Sequence, residues 1–128
     1  MDPLIEKGIY YLEAARLLVS QKLYEQASIM VFYGIPYLIK GIVRDKTKSY
    51  IYTRDVNSML NFIGRRAEYS QIIKSFVSRN KEKMEELLLL KRYLNYDVID
   101  GITKEKAEMF LTLYEDAVNL CKDLGSCN

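Results

Sequence analysis

The sequence contains no histidine and no tryptophan, and it has only two cysteines and two prolines in 128 residues. Histidine is the side chain that most often serves as a general base or as a transition-metal ligand near neutral pH. Its absence excludes serine and cysteine nucleophiles activated by histidine, and every histidine metal site, within this chain. The sequence therefore predicts no metal, no cofactor and no conventional catalytic set.

The two cysteines, Cys121 and Cys127, stand close together in the sequence. A disulfide between them would close only a small loop, which constrains little of the unfolded chain. Two cysteines without histidine also fall short of the usual four ligands of zinc. We therefore expect two free thiols, with Cys121 on a packed helix face and Cys127 beyond that helix.

Long apolar runs are also missing, since no unbroken run approaches the roughly 18 to 20 residues that span a bilayer. The segment Met1–Lys7 lacks the basic start and the apolar stretch of a secretory signal. Apolar residues make up 49% of the chain and charged residues 28%, which is the balance of a folded protein. The expectation is a cytoplasmic protein without membrane contact, forming a single domain over residues 1–128.

Apolar side chains recur at three- and four-residue steps along most of the chain, which is the periodicity of an amphipathic helix. Asp2 and Thr103 are predicted N-caps, and Gly64 and Gly125 are predicted to end helices. The stripes and caps predict helices over residues 3–19, 22–43, 54–63, 67–95 and 103–124, joined by longer connections over 44–53 and 96–102.

Four long amphipathic helices and one short helix need a shared core. Short connections favour antiparallel neighbours, so the expected fold is all-α, an antiparallel up-down bundle of four long helices plus one short helix. Pro36 lies inside the second helical stripe and is predicted to kink it. The polar stretch Ser78–Lys83 interrupts the fourth stripe and leaves open a bend or a split in that helix.

Two parts of the sequence resemble a known family of small helical bundles. The first part is similar to the opening helical hairpin of HEPN domains and consists of Tyr10–Leu18, Lys22–Ala27 and Tyr33–Gly41. The second part is similar to the Arg-Tyr segment of that family with its closing helix, and consists of Leu87–Tyr96 and Thr103–Ala107. Together they cover most of the chain, and the order of the helices carries the resemblance.

The resemblance implies a binding function more than a catalytic one. Ribonuclease members of the family have an arginine followed four to six residues later by a histidine, whereas Arg92 is followed at that distance by Tyr96, Asp97 and Val98. The preferred interpretation is a non-catalytic, homodimeric HEPN module that binds nucleotide or RNA phosphates or a partner protein. A minimal nucleotidyltransferase, as in toxin–antitoxin pairs, is the partner that the resemblance implies. The alternatives are a degenerate ribonuclease using Arg92 with Tyr96 or Asp97, and a pure helical scaffold.

Basic residues are concentrated in one stretch of the chain. Between Lys40 and Arg66 seven basic side chains stand against two acidic ones, a net charge of +5 in a chain whose total is +2. Such asymmetry, interleaved with Tyr50 and Tyr52, is typical of a phosphate-binding surface, although a solvated loop would have the same composition. Of these residues only Lys40 also matches a position that the family resemblance suggests, and Pro36 occupies the place of the glutamate that often precedes it.

A second polar and aromatic cluster follows at the end of the fourth predicted helix. Arginine can hold phosphate with two hydrogen bonds and tyrosine can stack on a base, but Arg92 could equally cap helix carbonyls and pair with Asp97 or Asp100. The predicted nucleotide- or RNA-binding residues of both clusters are Lys40, Arg44, Lys46, Lys48, Arg54, Arg65, Arg66, Arg92, Tyr93 and Tyr96.

The chain has eleven tyrosines, several of them on or beside the helical stripes. Packing in a core or an interface is their usual role there. Because the first, second and fifth predicted helices carry more apolar and tyrosine positions than a one-sided stripe requires, we expect a homodimer that buries the excess.

Overall fold

The computed structural model describes residues 1–94 and 101–127, with Tyr93 and Leu94 described by their backbone alone. This part of the chain contains five helices and no strand. The helices are α1 (Pro3–Ser20), α2 (Tyr24–Thr47), α3 (Val56–Gly64), α4 (Ala67–Leu94) and α5 (Lys104–Asp123). The predicted all-α bundle of four long helices and one short helix is confirmed.

The helix starts lie close to the caps that the sequence indicates. The carboxylate of Asp2 and the hydroxyl of Thr103 accept hydrogen bonds from backbone N–H groups at 2.8 and 3.1 Å, as expected of N-caps. The predicted start of α3 at residue 54 is wrong, because Asp55 is the N-cap and the helix begins at Val56. Gly64 is the last residue of α3, as predicted.

The largest boundary error concerns the end of α2, which continues past the predicted residue 43 through Thr47. The charged pattern of this segment suggested a connection, but the buried hydroxyl of Thr47 donates to the carbonyl of Val43 at 2.6 Å within the helix. Arg44 is tied to Asp2 at the start of α1, and basic side chains stabilise the carbonyl end of a helix. Lys48 then ends α2 with a left-handed φ of 57°.

Two interruptions in the sequence pattern do not break their helices. Pro36 lies inside α2, which is helical on both sides of it. The predicted kink would therefore be a bend of the helix axis and not a break in the helix. The polar stretch Ser78–Lys83 lies inside a continuous α4, and the split that the sequence left open is absent from that helix.

Close approaches between helices show their directions. Gly8 lies against Leu38 whereas Gly41 lies against Ile5, so α1 and α2 run antiparallel. In the same way, contacts between the middle of α4 and the middle of α5, and between the end of α4 and the start of α5, make these two helices antiparallel. Gly34 lies against Tyr114 and Lys46 lies beside Gly125, so α2 and α5 point the same way, as alternate helices of an up-down bundle do.

The buried apolar side chains of all five helices form one cluster. Its tightest point is the crossing of α1, α2 and α5, where the Tyr114 ring packs against the backbone of Gly34. The Tyr114 hydroxyl donates a hydrogen bond to the carbonyl oxygen of Gly8. Burial raises the pKa of Tyr114 well above its ordinary value, so the hydroxyl stays protonated as a donor.

Among the described residues, α2 is the one helix long and apolar enough to cross a membrane. This helix contains no long unbroken apolar run, because polar residues divide its apolar stretches. More than half of its most apolar window, 56%, is buried inside the bundle. We assign this hydrophobicity to its position as the central helix of the core.

Candidate nucleic-acid interface

A solvent-open groove with a volume of about 600 Å³ lies between α2, the start of α3 and the C-terminal half of α4. This volume is within the usual range of ligand-binding clefts. Its walls are formed by Phe32, Tyr33 and Pro36 of α2, residues 53–56 before and at the start of α3, and Leu87, Leu88 and Lys91 of α4. The lining of the groove is therefore mostly apolar, with two cations, Arg54 and Lys91, and one carboxylate, Asp55.

The α2 wall follows from the spacing of its side chains. Tyr33, Tyr37 and Lys40 are separated by four and three residues, which places them on one face of the helix. Each is partly buried, with its polar end at the boundary with solvent. Tyr33 lines the groove. The Tyr37 ring also meets the ring of Tyr11 on α1 edge to face, with 5.4 Å between the ring centres.

Arg54 lies across two of these rings. Its guanidinium carbon is 5.6 Å from the ring centres of both Tyr33 and Tyr37. On the other side, the ammonium of Lys7 lies 4.2 Å from the centre of the Tyr37 ring. Cations at these distances are attracted by the negative faces of aromatic rings, so Tyr37 holds two positive charges beside the groove.

A second cation and ring pair extends this surface along α2. The ammonium of Lys40 lies 5.4 Å from the centre of the Tyr50 ring, and the rings of Tyr50 and Tyr52 meet edge to face at 4.8 Å. Tyr52 is 87% exposed and Tyr50 55%. Two largely exposed rings beside a cation are the kind of platform on which nucleic-acid bases stack.

The opposite wall is the last part of α4. Lys91 lines the groove, and Arg92 follows it in the last turn of the helix with an exposed side chain. Lys40 and Arg54 from the predicted set thus lie on the α2 side of this surface, and Arg92 lies near its α4 end. The side chain of Tyr93 and all of Tyr96, the other predicted residues of this segment, lie outside the described residues.

Arg44 from the predicted set is engaged elsewhere in the molecule. Its guanidinium donates two hydrogen bonds, at 2.7 and 2.8 Å, to the two carboxylate oxygens of Asp2. These bonds hold the pKa of Asp2 below its ordinary value and raise that of Arg44. This ion pair joins the end of α2 to the start of α1 and leaves Arg44 with little capacity for a ligand.

Three further predicted cations serve the C-terminal end of α2. The ammonium of Lys46 lies 3.5 Å from the Asp45 carboxylate, and that of Lys48 donates to the Asp45 carbonyl at 2.7 Å. Arg66 donates to the carbonyl of Thr47 at 3.4 Å. Its neighbour Arg65 is exposed at the corner between α3 and α4. The basic stretch of the sequence is thus divided between the groove side and the C-terminal end of α2.

Several residues of this surface were not among those predicted from the sequence, namely Lys7, Tyr33, Tyr37 and Lys91. Tyr33 and Tyr37 have helical spacing with Lys40, and Lys91 precedes Arg92, so a signal for these three was present. Lys7 had none, because only the packing of α1 on α2 brings it to Tyr37.

Metal ligation has no candidate in the described part of the chain, where no three Asp, Glu or Cys side chains lie close enough to hold an ion. The chemistry that this surface offers is ionic and aromatic contact. It can neutralise anions through Arg54, Lys91, Lys40 and Arg92, and it can stack planar groups on tyrosine.

Comparison with known proteins supplies the family. The family model described as HEPN domain matches residues 1–124 of the 128-residue chain, a range that spans all five helices and the whole groove. Neither curated proteins nor solved structures give a match. HEPN domains are typically related to RNA binding or ribonuclease activity. With an all-α bundle of five helices and a match over nearly its entire length, the chain belongs to the HEPN domain family.

Proposed function

We propose that the protein is a non-catalytic HEPN module that binds single-stranded RNA in the groove between α2 and α4. The observation that carries the proposal is the position of Arg54, which lines the groove and lies over the rings of Tyr33 and Tyr37. Lys91 supplies a second cation from the opposite wall. A strand lying in the groove would meet positive charge on both sides.

The phosphate contacts follow from the shape of the arginine. A guanidinium stacked on a ring keeps its N–H donors at its edges, where they can form two parallel hydrogen bonds to a phosphate. Arg54 is exposed, and none of the carboxylates in the described ranges forms an ion pair with it. The neighbours that attract the Arg54 guanidinium are therefore two aromatic rings and not a competing anion.

The base contacts follow from the exposed tyrosines. Tyr50 and Tyr52 project from the connection between α2 and α3, and Tyr33 lines the groove itself. Stacking on an aromatic side chain stabilises single-stranded binding by about 1–3 kcal/mol per base and tolerates any sequence. We therefore expect RNA binding with little base preference.

Binding without cleavage is supported by the chemistry of the side chains present. RNA cleavage near neutral pH needs a positioned group that can accept a proton there, and the chain has no histidine. The carboxylate of Asp55 in the groove wall is the N-cap of α3, where it accepts hydrogen bonds from the backbone N–H and the hydroxyl of Ser58. This carboxylate is committed to the helix.

The test is fluorescence anisotropy with labelled single-stranded RNA at low salt. Replacing Arg54 and Lys91 together by glutamine should weaken binding about tenfold or more. Each phosphate contact that is lost reduces the number of counterions that RNA releases on binding, and this release favours the complex. The matched control replaces exposed Arg65 and Lys81, which removes the same charge away from the groove and should change affinity by about twofold or less. Equal losses in the two double variants, or no binding by the wild type, would overturn the proposal.

The degenerate ribonuclease is the second candidate, because Arg92 is exposed at the α4 end of the groove. Incubation of the purified protein with labelled single-stranded RNA separates the two candidates. The binding proposal predicts intact RNA. Cleavage that is lost in Arg92→Ala and absent from a mock purification would establish the catalytic alternative.

We also propose that the module is a homodimer. Tyr10 and Leu17 on α1 are 65% and 60% exposed, whereas the exposed Leu88 of α4 lines the groove. No large apolar side chain of α5 is similarly exposed, so we expect α1 to provide the interface. Light scattering should return twice the 15.0 kDa monomer mass, and Leu17→Lys should lower it. A monomer mass for the wild type at micromolar concentration would contradict the proposal.

A further inference from the structure

The turn after α5 reverses the chain toward the helix that it has just left. Gly125 adopts a left-handed φ of 74°, and the N–H of Ser126 donates to the carbonyl of Cys121 at 2.9 Å. The N–H of Gly125 donates to the carbonyl of Lys122, also at 2.9 Å. These two bonds define a Schellman motif, in which the residues after the glycine pack against the last turns of the helix.

The reversal brings the two cysteines of the chain together. Cys127 packs against the core cluster, and its thiol lies 3.9 Å from the carbonyl oxygen of Val118, one turn before Cys121 on α5. Cys121 is fully buried. Burial raises its pKa, and the neighbouring thiol of Cys127 raises it further. Both thiols are free in this structure.

We propose that Cys121 and Cys127 are a reversible redox site, which closes to an intramolecular disulfide by exchange with a small-molecule disulfide such as oxidised glutathione. The site lies in the turn after α5, and it is independent of the proposed RNA-binding groove. Its oxidised form ties the turn after α5 covalently to that helix.

The order of the exchange follows from exposure. Cys127 is partly exposed whereas Cys121 is fully buried, and a thiolate must reach the oxidant in order to attack it. The Cys127 thiolate attacks one sulfur of oxidised glutathione, a mixed disulfide forms, and one glutathione thiolate leaves. Cys121 then loses its proton, its thiolate attacks the Cys127 sulfur, and the second glutathione leaves. The two cysteines are oxidised and one glutathione disulfide is reduced to two thiols.

One polar side chain of the turn is left unpaired. The hydroxyl of Ser126 is buried without a hydrogen-bond partner among the described residues. The turn lies beside the end of α2, where the Lys46 ammonium is 3.5 Å from the position that a side chain at Gly125 would take. Oxidation therefore fixes a segment at the joint between α5 and α2. Because the loop that it closes is small, the melting temperature should change little.

The test uses the full chain, equilibrated with glutathione buffers, quenched in acid, unfolded and treated with maleimide. Mass spectrometry of the oxidised wild type should show a monomer that is lighter by two hydrogen atoms and carries neither maleimide nor glutathione. A stable glutathione adduct as the end state, a covalent dimer, or two thiols that stay free in fully oxidised glutathione would overturn the proposal.

The matched variants test the order of the two steps. Cys121→Ala should retain one glutathione on Cys127, since no second thiol is present to displace it. Cys127→Ala should stay unmodified while folded, because the thiol that remains is buried. Reaction of folded Cys127→Ala at the wild-type rate would overturn the assigned order. If Cys121→Ala fails to fold, the wild-type mass and Cys127→Ala still decide the question.

Discussion

The two faces of α2 differ in how completely their polar groups and their space are used. Toward α1 and α5 the helices approach so closely that Gly34 touches the ring of Tyr114, and the buried Tyr114 hydroxyl is paired with the carbonyl of Gly8. Toward α3 and α4 the same helix borders an open groove, where Arg54 lies over rings and faces solvent. One face of α2 thus fixes the fold, and the other is available for a ligand.

This difference implies that substitutions on the two faces should have separable effects. Changes at the α1, α2 and α5 crossing should lower the free energy of unfolding, because a close-packed interior tolerates little change in volume. Changes on the groove side should leave stability nearly unaltered and lower the affinity for RNA.

The largest expected effect is that of Gly34→Ala, which would disrupt the close packing of α2 against α1 and α5. A Cβ at this position would lie 2.1 Å from the Tyr114 hydroxyl oxygen and 2.7 Å from the Cβ of Tyr11. We expect a loss of about 3 kcal/mol in the free energy of unfolding, measured by urea denaturation. In the control Gly64→Ala the nearest atom is a methyl of Ile73 at 3.2 Å, and the loss should be about 1 kcal/mol or less. Wild-type stability of Gly34→Ala would show that the crossing is not close-packed.

The next largest effect is that of Tyr114→Phe, which removes one buried hydroxyl at the same crossing. Loss of its hydrogen bond to Gly8 should cost about 1–2 kcal/mol. Because burial raises the pKa of Tyr114 above its ordinary value of 10.0, its contribution is complete below pH 10 and declines as the pH rises further. The wild type should therefore lose stability more steeply than Tyr114→Phe from pH 10 upward. Parallel curves would contradict the buried, protonated hydroxyl.

A smaller effect is expected for Asp2→Asn, at the contact between the start of α1 and the end of α2. The substitution weakens the pair with Arg44 and the cap of α1, and should cost about 1 kcal/mol at pH 7. Since hydrogen bonds from Arg44 hold the pKa of Asp2 below 3.8, its contribution is present above that pH and is lost as the pH falls through the lowered value. Thermal melts should show the difference from wild type vanishing in acid. A difference that persists at the lowest pH would exclude this ion pair as its source.

The smallest expected effect is that of Tyr52→Ala, which tests whether an exposed ring near the groove contributes to RNA affinity. Stability should change by about 0.5 kcal/mol or less, since the ring is exposed. Affinity for single-stranded RNA should fall about fivefold, which corresponds to the loss of one weak base stack. The control Tyr52→Phe keeps the ring and should bind like the wild type. Equal losses in both variants would exclude stacking as the role of Tyr52.

The sequence predicted the fold well because the helical period and the caps are local signals. Cys121 is buried on α5, as its place on a packed helix face predicted. The predicted end of α2 was wrong because the hydrogen bonds that stabilise its last turn, above all that from Arg44 to Asp2, join residues far apart in the chain.

The candidate site was only partly accessible to the same reasoning. A sum of charges along the chain treats Arg44 and Arg54 alike, but folding turns one to an aspartate and the other to two tyrosine rings. Lys7 joins the site through tertiary packing alone. The side chains that a ligand would meet are therefore set by the arrangement of the helices.

The most direct test of the groove as the RNA site is ultraviolet crosslinking of single-stranded RNA to the wild-type protein, followed by mass spectrometry of the linked peptides. Tyrosines in contact with bases form the crosslinks. The groove predicts linkage at the four rings of its surface, Tyr33, Tyr37, Tyr50 and Tyr52, and loss of this linkage when Arg54 and Lys91 are replaced together. Crosslinks confined to other tyrosines, such as Tyr10 and Tyr69, would contradict it.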